Sequence, residues 1–428
     1  MYNYKQLLLL FTILGLLIVS SCDKDDDNPE DDKTLKIEAG ATADVDAVAA
    51  FINVEDGGTI EFGEGTFTID QALIMSDKNN VLIKGQGRAK TILDFSGQNS
   101  GGESIKISDG TNITLCGFTL QNGVSDAIKT QSIDGIRFSD ISTTWVGDVL
   151  QNNGNYGIYP VLCNNVEIEG CYARGASDAG IYVGQSTNIV VKNNTMEENV
   201  AGVEIENCIN ADVHDNNIQN NSAGILVYDL GNITSIRNGS KCRVFDNNIL
   251  NNNHQNYAPN PNGLIGRLPV GSGIVLLATD SVEVFGNNLV SNNLASISMA
   301  SYEFTGEEFD PSTGYNPRLR YINIHDNIIM RDNTFPTTLN QAAQEIQFIL
   351  SFFAADIPEI VYDGISGAGS TADQNFRIVN NGNINMVNFN LQTDPNGTSP
   401  TPVDMTQFEG TAALTLDGVT LPALLECN

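Results

Sequence analysis

Five short phrases carry the side chains best suited to chemistry: AIKTQ at 127–131, GIYPV at 157–161, GIYVG at 180–184, GVEIE at 202–206 and GILVY at 224–228. Side chains alternate sides along an extended chain. If the Ile or Val at the second place of each phrase points inward, two rows point outward. One is Lys129, Tyr159, Tyr182, Glu204 and Leu226; the other is Gln131, Val161, Gly184, Glu206 and Tyr228. Arg174 and Asp178 lie just ahead of Tyr182. Three chemistries fit these residue types. In the first, a base removes the C5 proton of a uronate, giving elimination or epimerisation. Tyr182 or Lys129 would be the base, Tyr159 the acid, and Arg174 the offset to the substrate's charge. In the second, Glu204 and Glu206, about 6.6 Å apart at Cα on one strand, act with Asp178 as a glycosidase's carboxyl pair. In the third nothing reacts: tyrosine rings stack on sugar while Asp178, Tyr228 and Gln131 hold its hydroxyls. The plain alternative is a solvated outer face.

Such rows exist only if the phrases stack. Gly157, Gly180, Gly202 and Gly224 recur at intervals of 23, 22 and 22, the period of a β-solenoid built from short strands and Asn-rich turns. First strands begin at Ile105, Ile128, Ile158, Ile181, Val203, Ile225, Ile274 and Ile297. Second strands begin at Ile113, Ile136, Val166, Ile189, Ala211, Cys242, Val282 and Ile322, and the two series interleave without a miss. Leu73 and Val81 fit an earlier coil. Asn194, Asn216, Asn247, Asn287 and Asn327 share one slot and predict a ladder of stacked amides. The expected fold is all-β: a right-handed parallel β-helix of about nine coils, roughly 40–45 Å long, with an N-terminal capping helix and a C-terminal α/β cap.

Composition narrows the partners. With 21 basic and 52 acidic residues, a formal net charge of −31 argues against nucleic acid and anionic membrane surfaces. It also disfavours a polyanionic substrate unless cations gather locally. Residues 7–19 form an apolar signal-peptide core. Val19-Ser20-Ser21-Cys22 resembles a bacterial lipobox, which makes Cys22 the acylated N-terminus and the protein a lipoprotein of the outer membrane, surface-exposed or periplasmic. The acidic run 23–32 resembles a surface-export tag on a solvated tether. Cys163 and Cys208 share a phase two coils apart, about 9.6 Å, beyond disulfide reach. Cys116, Cys171 and Cys242 occupy three further phases, and the cysteines read mostly as free packing thiols. His214 and His325 stand three coils apart with His254 in a loop, so no metal set forms. No cofactor is called for; calcium is left open, with no motif that specifies it.

In chain order the reading is a signal peptide at 1–21, a tether at 22–36, the β-helix at 37–335 and a cap at 336–428. A helix over 44–54 carries apolar residues at 45, 48, 49 and 52. Loops are inserted at 147–155, 229–241, 253–271 and 300–319; the last two are rich in aromatics, and long loops on a rigid scaffold commonly carry function. A helix over 338–355, with Ala342, Ile346, Ile349, Leu350 and Phe353 on one face, is expected to cover the open end.

The order helix, Gly58-Thr59-Ile60 strand, Gly85-Gln86-Gly87 turn and coils resembles the pectin-lyase-like parallel β-helix superfamily. The repeats YGIYPV, DAGIYVGQS and AGVEIENC are similar to the carbohydrate-binding β-helix repeats of NosD-like proteins and alginate C5-epimerases, and more so to parallel β-helix repeat lipoproteins. The resemblance implies a monomer that binds, and processes, a polysaccharide or oligosaccharide as a uronate lyase or C5-epimerase. The alternatives are a non-catalytic carbohydrate-binding surface protein and a glycoside hydrolase. The epimerases' Asp-Pro-His-Asp/Glu motif is reduced here to Tyr159-Pro160-Val161, and the polygalacturonase Asn-Thr-Asp, Asp-Asp and Gly-His-Gly signatures are missing. If acyl chains at Cys22 are the anchor, Cys22→Ser should move the protein from the membrane pellet to the soluble fraction; retention in the pellet would point to another attachment.

Overall fold

The computed structural model describes residues 33–149, 151–233, 235–353, 355–367 and 374–427. The signal peptide, Cys22 and the acidic run lie outside them. Inward-facing aliphatic residues build the molecule. Ile158, Ile181, Val203, Ile225, Ile274 and Ile297 are paired in unbroken parallel register along the first sheet. Ile136, Val166, Ile189, Ala211, Cys242, Val282 and Ile322 do the same along the second. A third sheet of shorter strands, such as Tyr172–Arg174 and Thr195–Glu197, closes each coil. The interleaved register read from the sequence holds at every one of these positions.

The turn between the second and third sheets explains the recurrent Asx-Asn pairs. Asn193, Asp215, Asp246, Asp326 and Asn380 all sit at positive φ. That left-handed bend is one Asn and Asp tolerate better than other residues with a Cβ. The next residue turns inward and joins the amide ladder: Asn194 Nδ2 donates to Asn216 Oδ1, Asn216 to Asn247, Asn247 to Asn287, Asn287 to Asn327, and Asn327 to Asn381. A second ladder, not singled out in the sequence, runs Asn199, Asn221, Asn252 and Asn292 along the next corner. These buried amides have donors and acceptors matched within the stack, so the polar corners need no water.

Several boundaries differ from the sequence reading. Thr34–Ile37, of which 34–36 fell in the tether, is already a strand paired with Thr59–Phe62. Helix α1 (Ala43–Asn53) closes the N-terminal end, but with Ala43, Ala47, Ala50 and Phe51 turned to the core, while Val45 and Ile52 are exposed. The stack does not stop at residue 335. Ile360–Tyr362 and Met386–Asn388 add two further rungs to the first sheet, and Arg377–Val379 one to the second. Residues 331–359 are therefore one more loop inserted in an intact coil. Its helix α2 (Gln341–Leu350) does not cover the open end. It lies on the flank, where Ile346, Ile349 and Leu350 pack with Val361, Val387 and Phe389. Phe408, from the turn Met405–Phe408, enters the core at the C-terminal end instead.

The cysteine reading is half right. Cys163, Cys171, Cys208 and Cys242 are free and buried, but Cys116 is bonded to Cys427 across 311 residues. The partner was hidden because the last residues have no repeat phase. They run back along the outside of the second sheet: Asn323 donates to the Leu414 carbonyl, Leu416 N to Glu283, Val419 N to Asp212 and Leu425 N to Asn112. Glu426 pairs with Arg137 at 2.6 Å. The tail is thus a strap over successive coils, fixed at its far end by the disulfide. Cys427→Ser should lower stability by about 3–5 kcal/mol, the range for closing a very long loop, and should expose 411–427 to protease before the coils are cut. An unchanged digestion pattern would show that the strap holds without the bond.

Candidate functional site

The phrases of the first sheet place the candidate residues on adjacent coils: Lys129 beside Tyr159, Tyr182 beside Glu204, Glu204 beside Leu226, and Glu206 beside Tyr228. They do point away from the core, yet they are not a solvated face. Tyr182, Glu204, Glu206 and Tyr228 are only 5%, 2%, 6% and 8% exposed. The inserted loops bury them. Leu268 of loop 253–271 and Tyr302 and Tyr315 of loop 300–319 pack into one apolar cluster with Tyr182 and Tyr228. Tyr257 anchors its loop with its hydroxyl between the Ala176 and Glu198 carbonyls, its one proton shared by the two, and Tyr315 donates to the Asp229 carbonyl. Asn340 caps α2 and also donates to the carbonyls of Gly266 and Leu268, fastening helix to loop. Between these walls and the sheet lies a cleft of about 630 Å³, with Tyr156, Asp178, Glu204, Glu206 and Tyr228 on one side and Phe304 and α2 on another.

The floor of the cleft is acidic. The Tyr228 hydroxyl lies 2.7 Å from Glu204 Oε2 and 3.0 Å from Glu206 Oε2. Gln185 Nε2 donates to the other Glu206 oxygen at 2.7 Å. Glu204 Oε1 is buried without any partner. Burial drives the Glu204 carboxyl well above the usual range, helped by the charges of Asp178 and Glu206 and opposed by Tyr228. Burial also raises Glu206, against hydrogen bonds from Tyr182, Tyr228 and Gln185. Asp178, open in part to the cleft, is pushed up to about 7 by burial, against a hydrogen bond from Tyr156 and with Glu206 and Asp126 adding to the rise. The rings of Tyr156, Tyr159 and Tyr182 stand 4.7–4.8 Å apart in a mutually tilted trio. Burial carries Tyr182 far above its ordinary value and Tyr159 up to about 12.

The structure does not bring all the sequence candidates together. Arg174 turns away: its Nε donates to Glu198 at 2.6 Å and its Nη1 to the Trp145 and Gly147 carbonyls. Lys129 stays at the edge, 4.6 Å over the Tyr159 ring and paired with Glu103 at 3.5 Å. Gln131 lies beside Val161, outside the cleft lining. Sequence reasoning missed Tyr156, Gln185 and Arg267. Tyr156 and Gln185 flank the repeat phrases, and a search for outward neighbours of the rows would have found them. Arg267 comes from an inserted loop with no register to follow. Among the described residues no group of His, Cys, Asp and Glu has the makings of a metal site.

Comparisons with known proteins agree with the fold. Residues 63–240 match a family model described as a right handed beta helix region. The sequence has no match among curated proteins. Similar solved structures include the catalytic unit of a GH87 α-1,3-glucanase from Streptomyces thermodiastaticus (15% identity, 82% of this chain and 53% of that one, TM-score 0.50). The N-terminal fragment of gene product 12 of bacteriophage Phi29 is alike (14%, 80% and 60%, 0.50). So is the A-module of a mannuronan C-5 epimerase from Azotobacter vinelandii (16%, 68% and 84%, 0.45). At these identities the likeness is one of fold. The chain has a right-handed parallel β-helix fold.

The buried carboxyls set a pH dependence. Burial pushes Asp229 up to about 7 and Asp126 and Asp363 up to about 6, as it does Asp178. An unfolded chain releases these protons near pH 4, so between about pH 4 and 7 the folded state holds more protons. Stability must therefore fall as pH rises through that window. Thermal unfolding should show a lower midpoint at pH 8 than at pH 5, and Asp229→Asn should flatten the slope; a midpoint that rises with pH would contradict the assignment.

Proposed function

We propose that the protein binds a polysaccharide in this cleft and hydrolyses a glycosidic bond there, with Glu204 as the acid and Glu206 as its carboxylate partner. The observation that carries the reading is the Tyr228 hydroxyl held between two carboxyl oxygens at 2.7 and 3.0 Å. A phenol has one proton to give. Both contacts are satisfied only when one carboxyl is neutral and supplies the second proton. Glu206, with Gln185 and Tyr228 to stabilise it, is the better anion. Glu204, with one donor and a bare oxygen, is the better acid. A neutral acid beside a carboxylate is what glycoside hydrolysis requires: the acid protonates the departing oxygen, and the carboxylate attacks the anomeric carbon or takes a proton from water. Tyr156, the member of the tyrosine trio that lines the cleft, offers an aromatic surface to a sugar ring.

The uronate lyase or epimerase reading loses support because Arg174, its proposed neutraliser, is bound to Glu198. A phenol with its pKa far raised is also a poor base at neutral pH. An α-1,3-glucanase with this fold is in keeping with the hydrolase reading. For the compartment, we propose lipid anchoring at Cys22 outside the cytoplasm, where the Cys116–Cys427 disulfide would persist.

A panel of neutral, acidic and amino polysaccharides, assayed for new reducing ends, tests the reading. Glu204→Gln should lower turnover by about 10²–10⁴-fold, the scale of a lost general acid, while a neutral glycan is still retained. Retention of a glycan without any turnover would make the cleft a binding site only. Unsaturated uronate products would restore elimination.

A further inference from the structure

The cations around the cleft are already committed to carboxylates. Lys129 pairs with Glu103 at 3.5 Å, Arg174 with Glu198 at 2.5 Å, Arg267 with Glu307 at 2.5 Å, and Arg318 with Glu303. Asp178, Glu204 and Glu206, on the sheet side of the cleft, have no such partner among the described residues and are held by neutral donors from Tyr156, Tyr182, Tyr228 and Gln185. Glu204 is 2% exposed and its Oε1 faces no donor at all. Acidic groups alone do not make a site, but a buried oxygen without a partner marks where a donor is missing.

The rings beside them favour the same kind of donor. Tyr156, Tyr159 and Tyr182 form a close trio next to the carboxyls. A cation is drawn to the face of such rings, as Lys129 Nζ is, 4.6 Å over the Tyr159 centroid. A uronate or sulfated chain would bring further negative charge to an uncompensated acidic floor in a largely apolar cleft. A neutral sugar would bring no charge to set against the Glu206 carboxylate.

Resting on the reading that the cleft holds a glycan, we propose that its ligand is an amino-sugar chain with free amines, one ammonium seated against Glu204 and Asp178 beside the tyrosine trio. The ammonium's donors would fill the gap at Glu204 Oε1, and its charge would let a neighbouring carboxyl ionise in a site of low dielectric. An N-acetyl group keeps one N–H donor but brings no charge.

Calorimetry on the full chain near pH 6 tests this with four probes: a glucosamine tetramer, an N-acetylglucosamine tetramer, a neutral glucan tetramer and spermidine. The glucosamine tetramer should bind at least tenfold more tightly than either other tetramer. That preference should shrink in Glu204→Gln and in Asp178→Asn, each checked for native circular dichroism. Equal or reversed preference among the tetramers overturns the inference and leaves the glycan cleft standing. Binding by none of the tetramers removes both. Spermidine binding as tightly as the glucosamine tetramer also overturns it, since the site would then read amines without sugar. A preference that survives in both variants places the ammonium elsewhere and overturns the assignment to these carboxyls.

Discussion

Parallel stacking of like residues in successive coils is the constraint on which everything else here depends. Each rung leaves one backbone edge to the next, and each inward Ile or Val rests on its counterpart, as Ile181 does on Val203 and Val203 on Ile225. Such a column tolerates little variation inward, because any polar group there would be buried dry. Where the chain does turn polar residues inward, it does so in columns. An Asn in the ladder takes its side-chain acceptor from the Asn of the next coil and accepts from the backbone N–H of the coil before. The repeat and the amide ladders are the same constraint, expressed once in aliphatic and once in polar chemistry.

A solenoid contacts only its neighbours, so its ends are weak points. This chain treats the two ends differently. A helix packs over the first coils, and a turn carrying Phe408 closes the last. The strap then runs back across the second sheet, linking Asn323 on a late coil to Cys116 on an early one. The link makes distant coils share the fate of the C-terminus, which local stacking alone does not achieve. Beneath it, Asp212 and Arg243 pair at 2.6 Å, so the outward row of the second sheet is a covered polar seam.

The first sheet's outward row has the opposite character. Loops inserted into three coils fold back over it, and their aromatic residues convert an outer face into the floor of a cleft. The loops bury acids that the solenoid itself has no reason to bury. That burial, more than any pairwise contact, raises the carboxyls at Glu204, Glu206 and Asp178 and gives the site its chemistry.

The sequence by itself determined the coil. Its period, both interleaved registers and the amide ladder were legible because stacking forces equivalent positions to carry equivalent residues, which writes the geometry into the spacing. It also put Tyr182 beside Glu204 and Glu206 beside Tyr228 on neighbouring coils, since those pairings follow from register alone. Only the tertiary structure decided what lies over them. The 253–271, 300–319 and 331–359 loops have no repeat phase, and nothing in their spacing tells where they land. So the burial of the acids, the withdrawal of Arg174 to Glu198, the flank position of α2 and the Cys116–Cys427 bond all lay outside what periodicity could reveal. Each depends on contacts between segments far apart in the chain, and a short-range pattern carries no record of those.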